Sequence, residues 1–290
     1  MKYKKLKIVV TGGSGFIGGY VYRHLKSLSY DVYNLDLLSN EDQKDGLFLQ
    51  GSILDIEFLK IALKNVDIVI HFAGFANINR VKEAPLECLN LNIIGTSNIL
   101  EVLRKNKKGS LILASSAYVQ NENKGHLYTT SKYSAELICK NYFELYKIPS
   151  IIMRLGTVYG EFSRHEDVVS IFAKNFAAGL PLTIHGDGLQ KRNFIHGEDI
   201  GRVCEIILNL KNVDFKTFFI APKLGISIIE LVELIKIQGD TKIEKKNIRE
   251  LDNNYMNISE EFLNYDSIQW EPSIDINQGL KRLINYFKDI

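Results

Sequence analysis

The chain has little cysteine, little proline and almost no tryptophan. Its 290 residues include three cysteines, five prolines and one tryptophan. The cysteines, Cys88, Cys139 and Cys204, are odd in number and far apart. They provide no disulfide framework and no metal-ligand spacing, and they fit a reducing compartment. The six histidines also lack a paired spacing such as His-x-x-x-His, so we expect no metal site.

The sequence also lacks an excess of one charge and a long apolar run. It has 36 basic and 34 acidic residues, a net charge of +2, which argues against a nucleic-acid partner. No run approaches the ~20 apolar residues that a membrane span needs. The basic residues at 2–7 lead into a short apolar run that stops at glycines, unlike a signal peptide. We therefore expect a globular, cytoplasmic protein that does not bind a membrane.

The most informative segment is 7–18, where an apolar run meets a glycine turn and a helical pattern follows. Gly12 permits the turn, Gly15 lets the backbone approach a pyrophosphate, and Gly18 lets helix and strand pack closely. A second strand ends at Asp36. A carboxylate there can bind both hydroxyls of an adenosine ribose and repels a 2′-phosphate. The pattern predicts a dinucleotide site that prefers NAD to NADP.

Strand-like runs alternate with helical patterns through the first half of the chain. This alternation indicates βαβ units and an α/β fold, a Rossmann-type doubly wound parallel sheet with helices on both faces. The predicted strands are 6–11, 31–36, 66–72, 110–115 and 150–155.

The regular alternation of strand and helix patterns ends at about residue 156. Helical patterns at 167–179, 198–210, 227–237 and 276–287 alternate with short strands at 181–184 and 193–196. We expect an NAD-binding domain at 1–156, to which 193–210 returns. The remainder, 157–192 and 211–290, is expected to form a smaller C-terminal substrate-binding lobe. Ligands of open α/β sheets bind beyond the carboxyl ends of the strands, so the substrate is expected in a cleft between the two parts.

A tyrosine and a lysine four residues apart form the candidate catalytic pair. Only Tyr128/Lys132 follows a polar loop, opens a helix and comes after a strand that ends at Ser116. A spacing of four puts both side chains on one helix face. An ammonium and a positive nicotinamide ring would favour the phenolate of Tyr128, which could take a proton from a substrate hydroxyl while Ser116 binds its oxygen. Lys132 could also hold the nicotinamide ribose. The same spacing occurs at Tyr3/Lys7 and Tyr22/Lys26.

Together these motifs resemble the extended short-chain dehydrogenases/reductases of the NAD-dependent epimerase/dehydratase family, which modify nucleotide-linked sugars. Further matching segments are 51–55, 71–74, 92–98, 154–160 and 181–196. The resemblance implies cofactor contacts at Gly12, Gly15, Phe16, Ile17, Gly18, Asp36, Asp55, Ile56, Phe72, Ala73, Gly74, Asn92, Tyr128 and Lys132.

The resemblance also implies a homodimer, formed by helices near 87–105 and 129–147 paired about a two-fold axis. These helices carry more apolar residues than one face of a sheet needs. The residues are Leu91, Ile94, Ile99, Leu137, Ile138 and Tyr142.

The substrate-binding residues are implied by the resemblance of 181–196 to a segment that lines the nucleotide. It assigns Arg192 to the substrate's diphosphate, a task that suits a guanidinium fork. Thr157 is a further expected substrate-binding residue, although the family often has Asn there, and Asn193 stands where the family often has Asp. The loop with a second diphosphate arginine matches poorly, and Arg249 is its candidate.

The residues after Ser116 bear on the reaction. The family's 4,6-dehydratases typically have Asp-Glu there, as acid and base for loss of water, whereas this chain has Ala117-Tyr118. The sequence therefore predicts oxidation at a single carbon. The resemblance implies that this carbon is C4 and that the keto sugar is then reduced on its other face, a net 4-epimerisation, which is the commoner outcome in the family. The alternatives are a 4-dehydrogenase that releases the keto sugar, a 4,6-dehydratase, and a non-catalytic NAD-binding regulatory protein.

Overall fold

The computed structural model describes residues 6–39, 47–77, 79–120, 126–163, 167–211, 214–247 and 268–290. Its strands are β1 Lys7–Thr11, β2 Asp31–Asp36, β3 Phe48–Gln50, β4 Ile68–His71, β5 Ser110–Ser116, β6 Ser150–Leu155, β7 Thr157–Tyr159, β8 Leu182–His185, β9 Lys191–Arg192, β10 Phe194–His196, β11 Phe215–Ile220, β12 Ile226–Ser227 and β13 Ile243–Lys246.

The α-helices are α1 Phe16–Ser27, α2 Ile56–Ala62, α3 Pro85–Leu89, α4 Gly95–Asn106, α5 Leu127–Tyr146, α6 Val168–Ala177, α7 Gly197–Leu208, α8 Ile228–Lys236 and α9 Ile276–Asp289. A π-helical segment, Asn90–Ile94, joins α3 to α4. Within the described ranges, no helix is both long enough and apolar enough to cross a membrane.

Seven strands form a Rossmann-like central sheet in the order β11-β6-β5-β4-β1-β2-β3. The pairs β1–β2, β1–β4, β2–β3 and β4–β5 are parallel. Successive side chains of β1 point to opposite faces of the sheet, and Ile8, Val9 and Val10 are all fully buried. Val9 belongs to a core cluster with residues of α2, α4 and α5. A strand buried on both faces reads as a continuous apolar run, which is why the sequence predicts it well.

The chain divides into two compact units. The first comprises Met1–Arg154 and Ile200–Phe219, and the second comprises Leu155–Asp199 and Ile220–Ile290. These boundaries differ from the predicted ones in three places. The first stretch of the first unit ends at residue 154 rather than 156, and residues 193–199 belong to the second unit. The strand β11, expected in the lobe, is the edge strand of the central sheet. The strand lies beside β6, and its Phe218 and Ile220, two residues apart on the same face, are buried.

The second unit has its own core, built around Tyr159 and side chains of α6, α8 and α9. Three short ladders lie in this unit: β7 with β10, β8 with β13, and β9 with β12. Tyr159 packs so closely on Gly279 that any side chain there would overlap the phenol. Cys88, Cys139 and Cys204 all lie in the first unit, where they are free and buried.

Candidate active site

The glycine turn between β1 and α1 is packed too closely for side chains. Gly12 has a φ of +74°, and a Cβ there would lie 2.6 Å from the backbone nitrogen of Ala73. A Cβ at Gly18 would overlap the carbonyl oxygen of Gly12. Glycine is therefore required at both positions. The turn leaves backbone exposed to a ligand at the carboxyl end of β1, where open α/β sheets bind dinucleotides.

The N-terminus of α1 has the character of an anion site. Gly15 is its N-cap, no side chain in the described residues caps it, and its first turn holds no acidic residue. By contrast, α2, α6, α8 and α9 each start at an Asp or Ser whose side chain accepts a backbone N–H. Uncapped N–H groups at a helix N-terminus attract phosphate. This end of the helix, with Phe16 and Ile17 in its first turn, fits the predicted pyrophosphate.

Asp36 ties the end of β2 to the glycine turn. Its carboxylate accepts hydrogen bonds from the N–H groups of Ser14, at 3.0 Å, and Leu37, at 2.7 Å. A carboxylate has about four lone-pair sites, so acceptor capacity remains for ribose hydroxyls. The side chain is partly exposed, which leaves it accessible. This position suits the predicted role of Asp36 in selecting NAD.

Asp55 and Ile56 have local structural roles. Asp55 is the N-cap of α2 and accepts the N–H of Phe58 at 3.0 Å. Ile56 is partly buried and packs against the core of the first unit. Their predicted contact with adenine stays a prediction, and the cap alone accounts for an aspartate at residue 55.

His71 is a buried histidine whose contribution the sequence did not reveal. Its Nδ1 lies 2.7 Å from the Thr11 hydroxyl and its Nε2 lies 3.1 Å from the Thr96 hydroxyl. Thr96 donates its own proton to the Asn92 carbonyl, so Nε2 carries the imidazole proton and Nδ1 accepts from Thr11. Burial, and to a smaller extent the positive charge of Lys132, lowers the pKa of His71 to about 3, so the ring is neutral.

Asn92 positions the loop that follows β4. Its Oδ1 accepts the N–H of Phe75 at 2.8 Å, and its Nδ2 donates to the Phe75 carbonyl and to the Ser131 hydroxyl. These bonds use the amide's donors internally and fix the predicted cofactor-binding segment Phe72, Ala73 and Gly74 against α5. The structure thus shows a supporting role for Asn92, and its contact with the cofactor stays a prediction. The π-helical geometry at 90–94 turns the side chain toward this loop, and such bulges are common at functional sites.

Tyr128 and Lys132 lie one turn apart on α5, and both are buried. The Lys132 ammonium donates to the Ala114 carbonyl at 3.0 Å. Burial lowers the pKa of Lys132 to about 8, although Cys88 and Glu136 act in the opposite direction. The lysine therefore joins the helix of Tyr128 to the last residues of β5.

Ser116 is the last residue of β5 and is 7% exposed. Its hydroxyl accepts the N–H of Tyr118 at 3.3 Å, within the 3₁₀ turn that follows the strand. Only one residue separates it from Ala114, the acceptor for Lys132. The predicted trio therefore lies on two adjacent elements, the end of β5 and the first turns of α5.

A charged pair beside the trio was not singled out from the sequence. Glu136, one turn beyond Lys132, binds Arg154 of β6 through both carboxylate oxygens, with Nη2 to Oε2 at 2.7 Å. It also accepts the hydroxyl of Ser115. The sequence signal for this pair was an arginine inside the apolar run of β6, because a guanidinium in a buried strand needs an acidic partner.

The predicted substrate residues of the second unit lie on short strands. Thr157 begins β7, and its N–H donates to the Asn193 carbonyl at 2.9 Å. Arg192 ends β9, opposite Ile226 of β12, and its Nη1 donates to the Lys191 carbonyl at 2.9 Å. Arg249 lies outside the described residues. The diphosphate contacts of these residues stay predictions.

No cluster of three or more metal-ligating side chains occurs within the described ranges. The residues that converge on the glycine turn and the start of α5 instead fit a dinucleotide and a substrate hydroxyl.

The chain is similar over almost its whole length to known proteins. A putative UDP-glucose 4-epimerase of Methanocaldococcus jannaschii is 31% identical over 97% of this chain and 98% of its own. The human dTDP-D-glucose 4,6-dehydratase is 25% identical over 98% of this chain and 90% of its own. The crystal structure of a Thermotoga maritima UDP-glucose 4-epimerase with UDP-glucose superposes with a TM-score of 0.87 at 26% identity, covering 97% of this chain and 98% of the other.

The model of the NAD-dependent epimerase/dehydratase family matches residues 8–221, well over half of the sequence. That range includes the glycine turn, Asp36, Ser116, Tyr128 and Lys132. The chain is therefore an enzyme of the NAD-dependent epimerase/dehydratase family, an extended short-chain dehydrogenase/reductase whose cofactor is NAD.

Proposed function

We propose that the protein oxidises C4 of a nucleotide-linked sugar and then reduces the same carbon from the other face, a net 4-epimerisation. The observation that carries the proposal is the hydrogen bond from Lys132 to Ala114, which fastens the helix of Tyr128 to the strand of Ser116. This geometry provides a base, a cation and a hydroxyl donor at one place.

The three side chains divide the proton chemistry among them. Tyr128 removes the proton of the C4 hydroxyl as general base and returns it during reduction. The Lys132 ammonium lowers the cost of the phenolate because a positive charge favours an anionic neighbour. Ser116 donates a hydrogen bond to the substrate oxygen as it becomes a carbonyl. NAD, when bound, accepts the hydride from C4 and gives it back.

The residues that follow Ser116 support a reaction confined to C4. Ala117 has only a methyl group, and its position in the 3₁₀ turn is buried. Tyr118 is half-buried and is no carboxylic acid. Elimination of water from neighbouring carbons needs an acid and a base beyond Tyr128, and these two positions supply no carboxylate. The lack of a carboxylate at these two positions favours epimerisation over dehydration, although dehydratases are among the relatives.

The nucleotide and diphosphate are proposed to supply most of the substrate's binding energy. In this proposal Arg192 binds the diphosphate, and Thr157 also contacts the substrate. Binding the remote part of a substrate tightly leaves the reacting sugar free to turn between two faces. Epimerisation requires such a turn, because the oxidised carbon must present its other face to the same cofactor.

The experiment is a titration of the purified NAD complex with UDP-, dTDP- and GDP-sugars, while the reduced-nicotinamide absorbance and the sugar products are followed. A new 4-epimer with no lasting absorbance change is the expected result. Lasting reduction with a released keto sugar would identify a dehydrogenase, and loss of water a dehydratase. No product from any sugar would point to a regulatory protein.

A further inference from the structure

A buried charge cluster joins three elements at the back of the candidate site. Glu136 of α5 binds Arg154 of β6 with Nε–Oε1 at 3.0 Å and Nη2–Oε2 at 2.7 Å. The same carboxylate accepts the hydroxyl of Ser115 on β5. The side chains of Glu136 and Arg154 are only 7% and 12% exposed. The three elements are therefore linked through one carboxylate.

The contact of Glu136 with β5 lies next to the contact that Lys132 makes with the same strand. Lys132 and Glu136 are four residues apart, so they lie on one face of α5. Their partners, Ala114 and Ser115, are consecutive residues of β5. Two turns of the helix thus hold two successive residues of the strand, and the next residue of the strand is Ser116.

The charges of the cluster balance. A lone carboxylate buried beside β5 would be costly, and the side-on arginine offsets that cost with two charge-assisted bonds. Replacing such a buried pair by apolar residues is often neutral or even stabilising, so stability alone is a weak reason for its presence. Its connection to Ala114–Ser116 suggests a functional reason.

We propose that Glu136 is a positioning residue: held by Arg154, it binds Ser115 and so fixes the end of β5 for Ser116 while its negative charge faces Lys132. The inference rests on the proposed function, in which Ser116 and Lys132 act on the substrate oxygen and on Tyr128. In this inference Ser115, Glu136 and Arg154 act without contacting the substrate themselves.

The electrostatic part follows from the groups around the lysine. His71 of β4 is neutral, Cys88 of α3 lies within interaction range, and Glu136 is the carboxylate one turn further along the same helix. Burial lowers the pKa of Lys132, and Glu136 opposes that change. Removing the carboxylate charge should therefore lower the pKa further, so that Lys132 loses its proton at a lower pH.

The test compares Ser115→Ala and Glu136→Gln with the wild type. We expect Ser115→Ala to lower kcat by about three- to tenfold, the effect of one hydrogen bond, with the KM for the sugar nucleotide unchanged. We expect Glu136→Gln to lower kcat by about 10–100-fold, the effect of a charged hydrogen bond, and to shift the alkaline limb of the kcat profile to lower pH. Hydrogen exchange of a peptide that spans β5 should accelerate in both variants.

Glu101→Gln is the matched control. Glu101 binds Arg104 side-on at 2.7 and 2.8 Å on α4, with no contact to β5 among its bonds. It should leave kcat and the pH profile unchanged. If Glu136→Gln fails to fold, Ser115→Ala decides the matter, because it removes a hydroxyl and no charge.

Wild-type kcat in Ser115→Ala, or an unshifted alkaline limb in folded Glu136→Gln, would overturn the proposal. Failure of the proposed function would look different. It would appear in the wild type, as a released keto sugar, a dehydrated sugar or no product, or as normal turnover in Tyr128→Phe, whatever the cluster variants do.

Discussion

The ammonium nitrogen of Lys132 lies 3.0 Å from the carbonyl oxygen of Ala114, so a buried cation is held at the end of β5. Desolvation lowers its pKa to about 8. A cation is present below its pKa and is lost as the pH rises through it. We therefore expect kcat to fall as the pH rises through about 8, measured at saturating substrate and NAD.

Lys132→Arg gives the corresponding control, because a guanidinium does not deprotonate at working pH. Its turnover should be lower, since the longer fork fits poorly beside Ala114, but it should show no alkaline limb. A wild-type profile that stays flat through the alkaline range would contradict the assignment of Lys132.

Tyr128→Phe tests the proposed base, because it removes the hydroxyl and keeps the ring. Turnover should fall by ~10²–10⁴, the usual contribution of an acid–base group. NAD should still bind. Tyr22→Phe is the matched control: Tyr22 has the same spacing to Lys26, with Nζ 3.5 Å from its hydroxyl, but lies on α1. Near-normal turnover in Tyr128→Phe would refute the mechanism.

Asp36→Ala tests the choice of cofactor. The wild type should bind NADH more tightly than NADPH, because the carboxylate accepts ribose hydroxyls and repels a 2′-phosphate. The variant should lose that preference, with NADH affinity reduced by about tenfold or more, as expected for charged hydrogen bonds. Fluorescence titration measures both. Asp31→Ala, at the other end of β2, should preserve the preference. Equal wild-type affinities would exclude the role of Asp36.

Arg192→Ala tests the proposed diphosphate site. The KM for the sugar nucleotide should rise ~10–100-fold, the loss of a charged hydrogen bond, while NAD affinity barely changes. Lys191→Ala is a suitable control, because successive residues of strand β9 point to opposite faces. An Arg192→Ala variant that lost NAD binding and kept its substrate KM would move Arg192 to the cofactor site.

Assembly is tested on the outer faces of α4 and α5. Ile94, just before α4, and Leu137 of α5 are 48% and 44% exposed. Ile99, expected in the same contact, is fully buried in the first unit's core and is not available for it. We predict a homodimer that the double variant Ile94→Glu/Leu137→Glu converts to a monomer in light scattering. Ile61→Glu, at an exposed residue of α2, should remain dimeric.

A wild-type protein that is monomeric at micromolar concentration would refute the predicted homodimer. Burial of apolar area is the driving force that the glutamates oppose, so the effect should persist at high salt.

The buried strands were predictable from the sequence because their apolar runs are continuous. Residues 150–155 give β6 directly, and 31–36 give β2. Two strands of the central sheet, β3 and β11, were missed. The three residues of β3 are too few to show a pattern, and in β11 the residues after Asp214 mix aromatic side chains with Lys216. The order of strands in the sheet depends on contacts between distant segments, which no local pattern contains.

The candidate trio Ser116, Tyr128 and Lys132 could be singled out from the sequence because the chemistry proposed for it has a characteristic spacing. Its supporting residues were not. Asn92 was expected to bind the cofactor, but its amide bonds to Phe75 and Ser131 appear only once the loop and α5 are folded together. His71 and Thr11 are 60 positions apart, and a single sequence does not indicate that their side chains will meet.

The interleaving of the two units affects how the protein forms during synthesis. The first unit lacks its edge strand until residues 200–219 have left the ribosome, after the segment 155–199 of the second unit. The second unit in turn needs α9, whose Leu280, Leu283 and Ile284 complete its core. The chain of neither unit is complete before part of the other has been synthesised. Chains that end earlier expose incomplete apolar faces, and such surfaces favour aggregation.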